Sequence, residues 1–325
     1  MAKHPVYLIL IFVFFLIASC NVFSSPPALF GVIYTNASTP DSSFVLFDSK
    51  GEITFQEDLP AMGIFQLAKD NQGNVLLPVQ YEDKVYSFSL SSKQRKETKS
   101  LPYPIYMNQV DDFRITTYNS GLHSGTIRWN EHKKIMSTIV KGFPRIATFD
   151  QTYIYVFATI IDQKKPLIYL IQRNTGKIEA EIPLKIDQAN DMKIIDNHIM
   201  ITSTMNQKQI ALLDRQSKQI QYITLPHSRP EYIIPLSNNT VLITYQGSTI
   251  MTQMDRTSRK ILGQIQLPQP VFKVKYKNNN LYVLSQIPAN GQGLVGLYDT
   301  KKWKLQKKYL LPTIRDTTVQ DLIIF

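Results

Sequence analysis

Arg229-Pro230-Glu231-Tyr232-Ile233-Ile234, a turn at Asn238-Asn239, Thr240-Val241-Leu242-Ile243-Thr244, then Ile250-Met251-Thr252-Gln253-Met254-Asp255, and last Lys260-Ile261-Leu262 running on to Leu267-Pro268, form one continuous stretch of the chain. Its runs are short, rich in β-branched residues, and bounded by Asn, Asp, Gly or Lys, which is how half-buried strands read. Four strands are predicted here, joined by tight connections. Beyond residue 28 no segment sustains helical periodicity past two turns, so the expected class is all-β.

Working outward, the unit recurs. The Asp that ends its third strand, Asp255, is matched by Asp48, Ser91, Asn130, Gln172, Asp214 and Asp299, at spacings of 39 to 44 residues. The end of the fourth strand is marked by Leu59-Pro60, Leu101-Pro102, Leu225-Pro226, Leu267-Pro268 and Leu311-Pro312. Proline suits that place because it cannot donate to a ladder. Seven units of four strands, repeating about every 42 residues, predict a seven-bladed β-propeller. The same spacing also allows a two-sheet solenoid or sandwich array. The unit from Pro104 to Gly142 fits the pattern least well.

The two ends of the repeat array complement each other. The first unit begins directly at a second strand, Gly31-Val32-Ile33-Tyr34-Thr35, with no inner strand before it. The tail Thr317-Thr318-Val319-Gln320-Asp321-Leu322-Ile323-Ile324 reads as an inner strand with no blade after it. Pairing the C-terminal strand into the first blade closes the ring and leaves no open edge at the seam.

The segments Asn280-Leu281-Tyr282-Val283-Leu284, Ile199-Met200-Ile201-Thr202-Ser203 and Tyr153-Ile154-Tyr155-Val156-Phe157, each followed by a second apolar strand, resemble the exported bacterial propellers built on Tyr-Val-Thr-Asn repeats. The resemblance spans nearly the whole chain after the leader. It implies an exported, seven-bladed fold.

The leader supports export independently. Met1-Ala2-Lys3-His4-Pro5 precedes a run from Val6 to Ala18 that is apolar apart from Tyr7. As a helix this run would reach about 20 Å, short of the roughly 30 Å hydrocarbon core, so a secretory signal is expected rather than a membrane span. It ends in Ile17-Ala18-Ser19-Cys20, which resembles the lipobox of bacterial lipoprotein precursors. That resemblance implies cleavage after Ser19 and a diacylglyceryl thioether on Cys20. Cys20 is also the only cysteine. The expected organisation is a signal peptide over 1–19, a lipidated tether over 20–28 and the propeller over 29–325. The protein is then expected on the extracytoplasmic face of the cell membrane, with no disulfide to stabilise it.

At 325 residues the chain exceeds one ordinary core, which fits a repeat fold, and its 43% hydrophobic content excludes disorder. Lys+Arg of 36 against Asp+Glu of 25 favours anionic partners such as an envelope polymer, with another envelope protein as the alternative. The densest cationic clusters, Lys93/Arg95/Lys96/Lys99 and Lys301/Lys302/Lys304/Lys307/Lys308, lack the aromatic interleaving of a nucleic-acid platform, so no nucleic acid is expected.

Catalytic signatures are absent from the sequence. His123, His132, His198 and His227 have no pairing at zinc spacing, and His132 and His198 are expected in turns as solvated imidazoles. Asp70-Asn71-Gln72-Gly73-Asn74 lacks the alternating acids of a calcium loop and reads as a hairpin turn. Neither a metal nor a cofactor is expected. A propeller does offer a central channel, and the residues opening its inner strands are Arg145, Asn190, Asp191, Arg229, Glu231, Lys273 and Asp321. These are the candidate ligand-binding residues, with mutual pairing or contact with channel water as the alternative. Three functions compete: a non-enzymatic binding or scaffold module, which leads; a propeller lyase, lactonase or hydrolase; and a structural role on teichoic acid or lipid headgroups.

Overall fold

The C-terminal strand Thr318–Ile324 pairs antiparallel with Phe30–Thr35, matching Leu322 with Val32 and Ile324 with Phe30. This computed structural model describes residues 27–121, 123–131, 134–287 and 292–325. Within them lie seven four-stranded antiparallel sheets, and the first takes its inner strand from the chain's last residues. The fold is the expected seven-bladed propeller, closed as expected. The leader and Cys20 lie outside the described residues.

Blade 1 comprises Thr318–Ile324, Phe30–Thr35, Ser42–Phe47 and Ile53–Leu59. The inner strands of blades 2 to 7 are Ala68–Lys69, Pro104–Val110, Phe143–Phe149, Met192–Ile195, Pro230–Pro235 and Lys273–Lys277. Blade 3, the least legible unit, is complete, with its strands running from Pro104 to Lys141.

Core residues sit between blades. Blades 4 and 5 bury Phe157, Ile168, Leu170, Ile199 and Ile201 between them, and blades 7 and 1 bury Phe30, Val45, Leu284, Val295 and Leu322. The seam between blades 2 and 3 is thin by comparison, formed by Ala68, Leu76 and Met107. Hydrogen bonds reinforce it. The Gln66 amide donates to the Met107 carbonyl at 2.8 Å and accepts the Met107 N–H at 2.9 Å.

The recurring Asp has a local cause. Asp255 Oδ1 accepts the N–H groups of Thr257 and Ser258, and Asp214 and Asp299 do the same for the residues two and three ahead of them. Each such side chain holds the turn into the outer strand. These hairpin turns share one face of the ring. There Arg215 pairs with Asp150 of the preceding blade at 2.5 Å, and Arg256 with Asp196 at 2.5 Å. The crossovers to the next blade form the other face, where Asn36 donates to the Asp316 carbonyl and Thr159 to Asp187. Residues 27–29 enter on the hairpin face, since the Leu29 N–H bonds the Phe47 carbonyl and the Phe325 N–H bonds that of Leu29.

Candidate functional site

Successive residues of a strand point to opposite sides, so each inner strand offers alternate residues to the channel. Ladder register identifies the blade-core residue on each: Leu322 opposite Val32, Met107 opposite Thr116, Ile146 opposite Phe157, Met192 opposite Ile201, Ile233 opposite Ile243 and Val274 opposite Val283. Leu67 holds the corresponding place in blade 2. All seven are buried. The residue before each of them lines a central cavity of about 910 Å³: Asp321, Gln66, Tyr106 and Arg145, followed by Asp191, Tyr232 and Lys273. Lys193 and Lys275 line it two residues further along their strands, with Lys69 below.

Both acids are already engaged. Asp321 Oδ2 accepts the Leu67 N–H of blade 2 at 2.8 Å, and Asp191 Oδ2 accepts the Ile233 N–H of blade 6 at 2.9 Å. Their other oxygens face Lys275 at 3.8 Å and Lys193 at 3.2 Å. The Asp191 carboxylate holds the Lys193 ammonium above its ordinary pKa. These acids therefore join neighbouring blades and each neutralises one lysine.

Three cations are left without an acid within ion-pair distance among the described residues: Arg145, Lys273 and Lys69. Burial lowers the pKa of Arg145, with Asp187 partly opposing it, and its guanidinium makes no hydrogen bond to any described residue. Lys273 Nζ lies 5.3 Å from the centroid of the Tyr232 ring and 5.7 Å from that of Phe272. Burial opposes its charge, but Tyr232, Asp321 and Glu231 together raise its pKa. Lys69, beside the Phe325 ring, is pushed down by burial and by Lys277. The cavity walls thus carry five cations against two acids, and low local dielectric strengthens that imbalance. Such a site suits a small anion held by guanidinium and ammonium donors.

Of the residues singled out from sequence, Arg145, Asn190, Asp191, Lys273 and Asp321 come together on the cavity wall. Arg229 does not join them. It is exposed on the crossover before blade 6, in the left-handed region at φ 59°. Glu231 is buried behind the wall, and burial pushes its carboxyl up to about 7 with Lys273 partly opposing. The wall residues missed from sequence are Gln66, Lys69, Tyr106, Lys193, Tyr232 and Lys275. A two-residue step from Asp191 and Lys273 was the signal for Lys193 and Lys275.

The described histidines stand apart from the cavity. His132 lies outside the described residues. His198 is not a turn residue as expected but opens a strand, half-buried, with Nε2 3.5 Å from Asp214. His123 pairs with Asp162 at 2.8 Å, and His227 packs edge-on against Tyr245. Among the described residues no three His, Cys, Asp or Glu side chains gather as a metal site would require. Asp70 to Asn74 forms the expected turn, with Asp70 Oδ1 accepting the Gln72 and Asn74 N–H groups.

No protein-family model matches the chain, and no curated protein does. Solved structures of the same fold are numerous. Apo AztD from Citrobacter koseri is similar at a TM-score of 0.58 and 9% identity, covering 91% of this chain and 97% of that one. BamB from Moraxella catarrhalis is similar at a TM-score of 0.55 and 12% identity, over 86% and 85%. A chain of the Kuenenia stuttgartiensis hydrazine synthase reaches 0.62 at 10% identity, over 87% and 98%. At such identities the likeness extends to the fold alone.

Proposed function

We propose that the chain is a membrane-anchored, extracytoplasmic binding module whose central cavity holds a small multivalent anion, such as a fragment of a phosphate- or carboxylate-bearing envelope polymer. The observation that carries this reading is the unmatched cationic set Arg145, Lys273 and Lys69 on a wall whose two acids are already tied to backbone N–H groups. A cavity of about 910 Å³ lies within the size range of small-molecule sites. The anchor follows from the Ile17-Ala18-Ser19-Cys20 leader. A binding role needs no catalytic set, and none is recognisable.

Calorimetric titration with triphosphate and with citrate tests the cavity, and Cys20→Ala tests the anchor. Binding should be measurable at low salt and weaken as salt rises, because screening acts on the cationic wall. Cys20→Ala should release the protein from membranes. Absence of anion binding at low salt overturns the site, and unchanged membrane retention of the variant overturns the lipid anchor.

A further inference from the structure

The hairpin face is electrostatically lopsided. Around blades 6, 7 and 1, residues 48–52, 255–262, 276–280 and 299–305 carry eight cations against four acids. Lys260, Lys277, Lys301, Lys302 and Lys304 are all exposed there, with no acid within ion-pair distance among the described residues. Asp48, Asp255 and Asp299 direct a carboxylate oxygen to the N–H groups of their own turns. The crossover face of the same blades differs. Its described loops 36–41, 246–249, 267–272 and 311–317 hold one cation, Arg315, and two acids, Asp41 and Asp316.

Exposed apolar residues stand among these lysines. The outer strands of blades 1, 6 and 7 start at the hairpin face with Ile53, with Ile261 and Leu262, and with Leu305 one residue in. Leu262 is 60% exposed and Ile261 44%. They are the two residues after Lys260, and Leu305 follows Lys304. Exposed apolar residues also occur on blade 3, where Val110 adjoins Asp111 and Asp112 while Ile135 follows Lys134, but blade 3 lies away from the point where the chain enters.

The point where the chain enters adds a third observation. Residues 27–29 reach blade 1 on this same face. The seven residue steps from Cys20 to Pro27 span about 25 Å at most, which is close to the length of one inner strand. A tether of that reach keeps the hairpin face near the bilayer and leaves too little chain to pass around the rim.

We infer that the hairpin ends of blades 6, 7 and 1 form a docking surface for anionic phospholipid, with Ile261, Leu262 and Leu305 entering the headgroup region and the lysines meeting phosphates. The crossover end of the channel then opens away from the membrane. Lysine next to exposed aliphatic side chains is the composition an interfacial surface needs, since apolar burial and attraction to anionic lipid act together. This inference takes the anchored reading as its premise.

The test uses the full chain held through its own anchor in phosphatidylcholine vesicles, with and without phosphatidylglycerol. Because a lipidated Cys20 leaves no other thiol, Leu262→Cys or Ala37→Cys gives one labelling site for an environment-sensitive fluorophore. Ala37 is exposed on the crossover face. The label at 262 should shift to the blue and be quenched by a lipid-borne quencher only on anionic vesicles. High salt, or Lys260→Glu with Lys301→Glu and Lys302→Glu, should abolish both changes, and the label at 37 should stay in water throughout. Equal exposure at 262 on both vesicle types overturns the inference, as does equal quenching at both positions. A response to soluble polyglycerol phosphate but not to vesicles assigns the surface to polymer instead. A chain that stays in solution overturns the anchor as well, which separates the two failures.

Discussion

Leu322, Met192 and Ile233 adjoin Asp321, Asp191 and Tyr232 in the chain, yet the two sets meet opposite surroundings. The first set belongs to a ring of seven side chains, all apolar and all buried between blades. The second belongs to a ring holding two acids, two cations, two tyrosines and a glutamine around a cavity. The fold constrains the first position because each inner strand must fill a seam. It constrains the second only where a side chain reaches a backbone N–H of the next blade, as Asp321, Asp191 and Gln66 do. Tyr106, Arg145, Tyr232 and Lys273 make no such bond to a backbone N–H of the following blade among the described residues, so the fold does not dictate their identity as it does that of the other three.

Removing Arg315 to Phe325 strips both positions from blade 1 at once and should have the largest effect. Blade 1 loses its ladder and blades 7 and 1 lose their closure, so the cooperative thermal transition should disappear; an unchanged melting temperature excludes closure by this strand. Leu322→Ala separates the two positions. It should cost about 4 kcal/mol in denaturant unfolding, because a fully buried side chain leaves a cavity, while anion affinity stays near wild type.

Glu231 provides the pH test. Its folded pKa of about 7 exceeds the ordinary value of 4.5, so between these values the folded protein keeps a proton that the unfolded chain releases. The stabilising contribution of Glu231 should therefore be fully present below about pH 4.5 and be lost as pH rises through 7, by about 3 kcal/mol in all. Glu231→Gln should flatten that slope and raise the melting temperature at pH 8. An unaltered pH profile in the variant would place the slope elsewhere. The smallest energy belongs to the channel position itself. Arg145→Ala with Lys273→Ala should weaken triphosphate binding at least tenfold, about 1.4 kcal/mol, with little change in melting temperature. Arg229→Ala should alter neither; equal loss from Arg229→Ala would mean that the exposed crossover, not the cavity wall, holds the anion.

The uneven legibility of the site has a physical cause. A strand's facing can be counted by twos only while its register is regular. The inner strands break register between Pro104 and Tyr106, between Pro144 and Ile146, between Pro230 and Ile233, and opposite the Ile33/Tyr34 step in blade 1. Each irregularity lies within two residues of a cavity position. A bulge there reverses which neighbour faces the channel. Hence Tyr232 rather than Glu231 reaches the cavity in blade 6, and Tyr106 was overlooked in blade 3. Blade 5 pairs without interruption, and there Asp191, at the strand's start, stands on the cavity wall.

Repetition was available to the sequence because its causes are local: an Asp that holds a turn through its own N–H groups, a Leu-Pro that ends a ladder, and runs long enough for one strand. These determined the all-β class, the seven units and the need for the last strand to complete the first blade. The lipobox-like leader, read the same way, determined the expectation of an exported, anchored protein. Tertiary structure alone decided which charges share the cavity, which acids are already bound by neighbouring blades, and which face carries unmatched lysines beside exposed leucines. Those outcomes depend on bulges and on contacts between residues from separate blades, where a one-residue shift in register exchanges core for channel.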